Sequence, residues 1–250
     1  MYHRFFSYPL IVVLLFSASA CTRSYQSQSL AYKGYRIGKT MPVDSSVLRF
    51  LQPFSDSVNN SMNMVLGQVT ESLEKAQPEG TLGNFMVDAF LHMARIKYQT
   101  EVDLAFVNFG GIRLTQLPAG PVTRGKVFEL MPFDNLLILQ KVKGTVLQEL
   151  LDLTAARGGW PMAGITLRIS NGKAVNVLIG GKPLDPEKMY TIANSDFIAN
   201  GGDNAEMLRT VPQITNGYLM RDAIIDYLEL LQQQGKKVTA TIENRVSNAQ

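Results

Sequence analysis

Three short loops, NFGGIR (108–113), PFDN (132–135) and FIANGGD (197–203), punctuate strand-like apolar runs and constrain the fold of this chain more than any other feature. Paired glycines give the backbone dihedrals closed to other residues, so each such loop bends sharply and presents polar or aromatic side chains where a strand ends. VDLAFVN reads as a strand running into Gly110-Gly111, and KVFELMPF and NLLILQKVK, around the second loop, both read as strands. YTIANSDFIAN reads as a strand ending at Gly201-Gly202, and GITLRISNGKAVNVLIGGKPL as a hairpin about Asn171-Gly172.

Between these runs the apolar period changes to that of a helix. Val47, Leu48, Leu51, Phe54 and Val58 fit one helix, with Pro53 marking a kink or boundary; Phe85, Ala89, Phe90 and Met93 line another over Leu82–Tyr98. Further helices are expected from Thr145 to about Arg157 and over LMRDAIIDYLELLQQQ. Hairpins mixed with helices and no internal repeat indicate an α+β fold of mixed α/β layers, with helices packed on mixed β-sheets, over residues 41–250.

The N-terminus has a different character. His3 and Arg4 precede PLIVVLLFSASA, an apolar stretch too short to span a bilayer but suited to a signal-peptide core over residues 1–20. The sole cysteine, Cys21, follows Ala18-Ser19-Ala20, which resembles the lipobox of bacterial lipoproteins with Ala18 in place of leucine. A lone thiol here has no disulfide partner, so lipidation at Cys21 is expected, with a polar tether over 21–40 and attachment to the bacterial cell envelope.

Charge and residue inventory exclude several chemistries. The net charge of +3 is dispersed, with no basic run longer than Lys236-Lys237, which argues against nucleic acid as a partner. With His3 in the signal peptide, His92 is the remaining histidine, too few for a dinuclear metal site and poorly placed for a nucleophile triad. Neither a Gly-x-Ser-x-Gly elbow nor a phosphate-cradling Gly-x-x-x-x-Gly-Lys-Ser/Thr loop occurs. No catalytic residue and no metal ligand is therefore assigned to this chain, and no cofactor is expected in it.

LGNFMVDAF (82–90), NFGGIR, GPVTRGKVFELMPFDN (120–135) and GGKPLDPEKMYTIANSDFIANGGD (180–203) together resemble, in order, the C-terminal nucleotide-binding domain of the 5'-nucleotidase and UDP-sugar hydrolase family. The similarity runs from about Val47 to Val246. It implies that Phe133 and Phe197 sandwich a nucleobase, that Asn135 reads the base edge, and that Asp203 accepts hydrogen bonds from ribose hydroxyls. It further implies that Asn108 and Arg113 serve the site, the arginine towards the ribose and phosphate. The family's metals and nucleophile belong to a separate metallophosphoesterase domain, whose Asp-x-His and Gly-Asn-His-Glu motifs do not occur here. Where family members place an arginine before the Gly-Asn pair, this chain reads QPEGTLGN, with Lys75 the nearest upstream basic residue.

Together with the lipidation expected at Cys21, the resemblance implies a lipid-anchored, nucleoside- or nucleotide-binding subunit. It would complete a 5'-nucleotidase with a separate, divalent-metal-dependent metallophosphoesterase and hydrolyse phosphoric esters only together with it. A stand-alone nucleoside or nucleotide receptor and a domain that has lost its ligand are the alternatives. On those alternatives the phenylalanines are receptor contacts or ordinary core residues.

Overall fold

The computed structural model describes residues 29, 31–36, 38 and 41–249. The expected signal peptide and Cys21 lie outside the described residues, as does most of the tether. The chain divides into two units, Met1–Leu48 and Arg49–Gln250. The described residues of the first unit are exposed. Asp44 Oδ1 accepts the amide hydrogens of Ser46 (2.8 Å) and Val47 (3.2 Å) and opens helix α1 (Ser45–Met62), which straddles the boundary, runs through Pro53 and buries none of its residues.

The second unit runs β1 (Val65–Val69), β2 (Leu73–Glu74), α2 (Thr81–Tyr98), β3 (Leu104–Phe106), β4 (Gln116–Leu117), β5 (Gly120–Thr123) and α3 (Arg124–Leu130). It continues through β6 (Leu137–Lys143), α4 (Gly144–Ala156), β7 (Met162–Ala163), β8 (Ile165–Ser170), β9 (Lys173–Ile179) and β10 (Lys182–Pro183). The chain then forms β11 (Met189–Ser195), the single turn α5 (Asp196–Ala199), β12 (Gln213–Ile214), α6 (Met220–Gln233) and β13 (Val246–Asn248). A five-stranded sheet has the order β12-β6-β11-β3-β7 and a four-stranded sheet the order β10-β9-β8-β13, with the pairs β1-β5 and β2-β4 beside them. Parallel and antiparallel neighbours occur in both larger sheets, so the class is α+β with mixed sheets, as expected.

Side chains alternate across a strand, and the five-stranded sheet buries both faces. Ala105, Leu137, Leu139 and Ala193 join a core with Phe85, Phe90 and Ile224 of the helices α2 and α6. Leu104, Phe106, Val142, Tyr190 and Ile192 join a second core with Leu147 and Leu151 of α4 and with Val177 of the hairpin. Each fully buried side chain of this size contributes about 1.5–3 kcal/mol relative to exposure, so the two cores together fix the sheet. The hairpin turn falls where expected, with Asn171 (φ 49°) and Gly172 (φ 71°) both in the left-handed region between paired Ser170 and Lys173.

Two strand expectations are corrected. KVFELMPF is not a strand: Thr123 Oγ1 caps the Lys126 amide at 3.2 Å, and helix α3 follows, burying Val127 and Leu130 three residues apart on one face. Likewise the strand through YTIANSDFIAN stops at Ser195, whose Oγ accepts the Ile198 amide hydrogen and turns the chain into α5. A short polar cap outweighed the apolar pattern in both places.

Register decides where the three loops meet. β3 and β11 are parallel neighbours, with Leu104 opposite Ile192, so both end at the same edge of the sheet. β6 is antiparallel to β11, with Leu137 opposite Ser195, so it begins at that edge. Residues 108–113, 132–135 and 197–203 therefore emerge side by side, at the carboxyl ends of parallel strands where open sheets form crevices.

Candidate functional site

At that edge lies a cavity of ≈ 400 Å³ lined by Asn108, Gly110, Gly111, Arg113, Phe133, Asn135, Phe197 and Asp203. The structure thus brings all six residues singled out from the sequence to one cavity. Phe133 is 40% exposed and Phe197 45%; among the described phenylalanines only Phe50 and Phe54 of α1 are more exposed. Phenylalanine is ordinarily a core residue, so two half-exposed rings facing one crevice are not explained by packing. A larger cleft of ≈ 600 Å³ lies between the start of α4 and strands β9 and β10; it has no charged or aromatic residue in its lining.

Local sequence accounts for each placement. Asn108 Nδ2 donates to Asp203 Oδ2 at 2.6 Å, so the first and third loops are tied directly. Gly111 packs against this pair: a Cβ at this position would stand 2.7 Å from Asn108 Oδ1, so the Asn108 amide would have to shift. Asp203 has a left-handed backbone (φ 51°, ψ 35°), a conformation that aspartate tolerates better than most residues. The Phe197 ring rests on the backbone of Gly202, where a Cβ would come within 2.6 Å of its Cε1. Asp196 Oδ1 accepts the amide hydrogens of Phe197 (2.9 Å) and of Leu136 (3.0 Å), which joins the third loop to the second.

The charge distribution is asymmetric. Arg113 places its guanidinium carbon 5.6 Å from the Phe133 ring centroid and donates Nη1 to the Gly110 carbonyl at 3.3 Å. Behind it Lys75 donates Nζ to the Ile112 carbonyl at 2.8 Å and sits 4.1 Å from the Phe109 ring centroid. Burial, and then the Arg113 charge, hold the Lys75 ammonium below the usual lysine range. Asp203, the carboxylate of the cavity, also faces Arg157 at 3.9 Å from its Oδ1. The lining thus carries one cation, Arg113, and one anion, Asp203.

A divalent cation does not fit this donor set. The lining offers one carboxylate, and Asn108 already occupies one of its oxygens. Among the described residues no group of three or more His, Cys, Asp or Glu side chains is placed to hold a metal ion. His92 is exposed on α2, its ring 5.4 Å from that of Tyr227.

Several positions acquire roles that no local pattern signalled. In LGNFMVDAF, Gly83 lies against Pro161 and Asn84 is buried, donating Nδ2 to Glu79 Oε1 (2.7 Å) and to the Thr241 carbonyl (2.8 Å). That motif holds the fold together away from the cavity. Asp196 bridges two loops, and Asp134 pairs with Arg221 of α6 at 2.6 Å. The last two contacts span 60 and 87 residues and leave no periodic trace.

The family model described as "5'-nucleotidase, C-terminal domain" matches residues 61–210. Protein UshA of Yersinia enterocolitica is 29% identical over 192 residues, covering 74% of this chain and 34% of that protein. A 5'-nucleotidase of Vibrio parahaemolyticus is 30% identical over 197 residues, with the same shares of 74% and 34%. This chain thus spans about a third of the length of these curated relatives. The crystal structure of a 5'-nucleotidase precursor from Thermus thermophilus superposes with a TM-score of 0.70 at 28% identity, covering 83% of this chain and 44% of that one. The NAD nucleotidase of Haemophilus influenzae, at 17% identity and a TM-score of 0.63, shares the fold.

Proposed function

Because the chain belongs to the 5'-nucleotidase C-terminal domain family, we propose that it is the nucleoside- or nucleotide-binding half of a 5'-nucleotidase, anchored to the cell envelope through Cys21. On this reading it completes the active site of a separately encoded metallophosphoesterase, which supplies the divalent metals and the nucleophile. The observation that carries the binding role is the convergence of Phe133, Phe197, Asn135, Asp203, Asn108 and Arg113, from three separate loops, on one cavity of ≈ 400 Å³. No described helix is long and apolar enough to cross a membrane.

Each residue has a definite task. The two rings take the base between them, an interaction of about 1–3 kcal/mol per stacked base that any base can make through its π face. Asn135 offers both a donor and an acceptor to the base edge, and the Asp203 carboxylate accepts from ribose hydroxyls. Arg113 directs a bidentate fork towards phosphate, reinforced by the positive potential of Lys75 behind it. The chain's own part is to bind and orient the nucleotide; the bond-breaking chemistry belongs to the partner.

Calorimetry with AMP, adenosine, UMP and UDP-glucose tests the binding role. Phe197→Leu keeps apolar volume and removes the π face, and the expected loss is about 1–3 kcal/mol, roughly 5- to 150-fold. No detectable binding of any of the four at millimolar concentration, or full affinity in Phe133→Leu/Phe197→Leu, overturns it. For the divided enzyme, the chain alone should hydrolyse no nucleoside monophosphate with Mn²⁺, Zn²⁺ or Co²⁺. A complex recovered from its own cells should do so. Hydrolysis by the isolated chain that is lost on His92→Ala contradicts the proposal.

A further inference from the structure

The second residue of helix α6 is a buried arginine that the cavity does not touch. Arg221 is 7% exposed, and its guanidinium lies 4.1 Å from the Phe128 ring centroid. Its position is unfavourable on three counts. A charge removed from water carries a large desolvation cost. A cation in the first turn of a helix opposes the helix dipole. Nε is buried with no hydrogen-bond partner. The ion pair does not offset this, because the Asp134 side chain is 80% exposed and a pair with so solvated a partner contributes little to stability.

What the guanidinium does, and an apolar side chain of the same volume could not, is hold the second loop. Nη1 donates to the carbonyls of Phe133 (3.2 Å) and Met131 (3.5 Å), and Nη2 to Asp134 Oδ1 (2.6 Å). The neighbouring Met220 amide donates to the Asn135 carbonyl at 2.9 Å, and the Tyr218 carbonyl accepts from Leu137 at 2.8 Å. Residues 131–137 are therefore stitched to the start of α6 at almost every residue, and the fork of Arg221 grips the backbone on both sides of the Phe133 ring.

We propose that Arg221 is the positioning residue for Phe133: it fixes the loop so that the ring stands half-exposed at the cavity instead of folding onto the neighbouring core. The inference rests on the nucleotide-binding reading for its functional consequence, but the clamp itself can be measured without ligand. Preorganisation of this kind raises affinity by removing the cost of ordering the loop on binding.

Hydrogen exchange and calorimetry on R221K, D134A, F133L and F133L/R221K provide the test. R221K keeps the charge and loses the fork; D134A removes an exposed acceptor and leaves the interior untouched. In R221K the hydrogen-bonded amides of Met131, Leu136, Leu137 and Met220 should exchange about tenfold faster while those of α2 and the rest of β6 stay unchanged, and adenosine affinity should fall about tenfold. D134A should show the same pattern to a smaller degree. F133L/R221K should bind no more weakly than F133L, because Arg221 acts through that ring. Unchanged or uniformly raised exchange in R221K, or losses that multiply in the double variant, overturn the proposal. If the wild type binds no nucleoside, the proposed function fails, and the loop-selective exchange alone decides the role of Arg221.

Discussion

Asn108 Nδ2 donates to Asp203 Oδ2 across 2.6 Å, joining two loops 95 residues apart in the chain. The bond occupies Oδ2 and holds the carboxylate in place, leaving Oδ1, which faces Arg157 at 3.9 Å, as the oxygen with acceptor capacity to spare. Asp203→Asn keeps an oxygen for Asn108 and tolerates the left-handed backbone (φ 51°), so it changes the acceptor without disturbing the bend. The preference for adenosine over 2'-deoxyadenosine should shrink by about 1.5–3 kcal/mol, the range for hydrogen bonds to charged groups. Equal discrimination in wild type and variant, by calorimetry, places the ribose elsewhere.

Gly202→Ala probes the support under Phe197. The added Cβ would stand 2.5 Å from the Phe197 carbonyl oxygen and 2.6 Å from Cε1, and a carbonyl on the backbone cannot swing aside as a flexible side chain can. The variant should lose stability by about 1–3 kcal/mol in thermal unfolding and bind adenosine at least as weakly as Phe197→Leu. Adding Phe197→Leu to it should then cost little more; a full further loss shows that the ring was still in place.

Lys75 predicts a pH dependence. Burial and the Arg113 charge depress its folded-state affinity for protons, so the unfolded chain binds more protons than the folded one in the alkaline window below the usual lysine value. Within that window this group's contribution to stability rises with pH. Binding has the opposite sign: as Lys75 loses its proton, the positive potential behind Arg113 falls, and AMP affinity should drop relative to adenosine by about two- to fivefold. Lys75→Arg, which stays protonated, should flatten the ratio; an equally steep fall in that variant removes Lys75 from the phosphate end.

Cys21→Ser addresses the anchor. The basic start, the short apolar core and the lone thiol after Ala18-Ser19-Ala20 are the grounds for the proposed membrane association by lipidation. In fractionated cells the variant should move from the membrane to the soluble fraction. Unchanged partitioning refutes lipidation at this position.

The helices over 82–98 and 145–157, the Asn171-Gly172 hairpin and the motif loops were legible in the chain as written, since each depends on residues within one or two turns of each other: an apolar period, a left-handed glycine, a cap. KVFELMPF misled, because the hydroxyl of Thr123 began a helix in an apolar run compatible with either period. That the three loops line one cavity is a property of the folded chain, for it follows from the parallel pairing of Leu104 with Ile192 and the antiparallel pairing of Leu137 with Ser195. The same holds for Arg221, Asp196 and Lys75. Their partners lie 37 to 90 residues away, and a hydrogen bond to a distant carbonyl imposes no pattern on the residues between, so their roles exist only once the chain has folded.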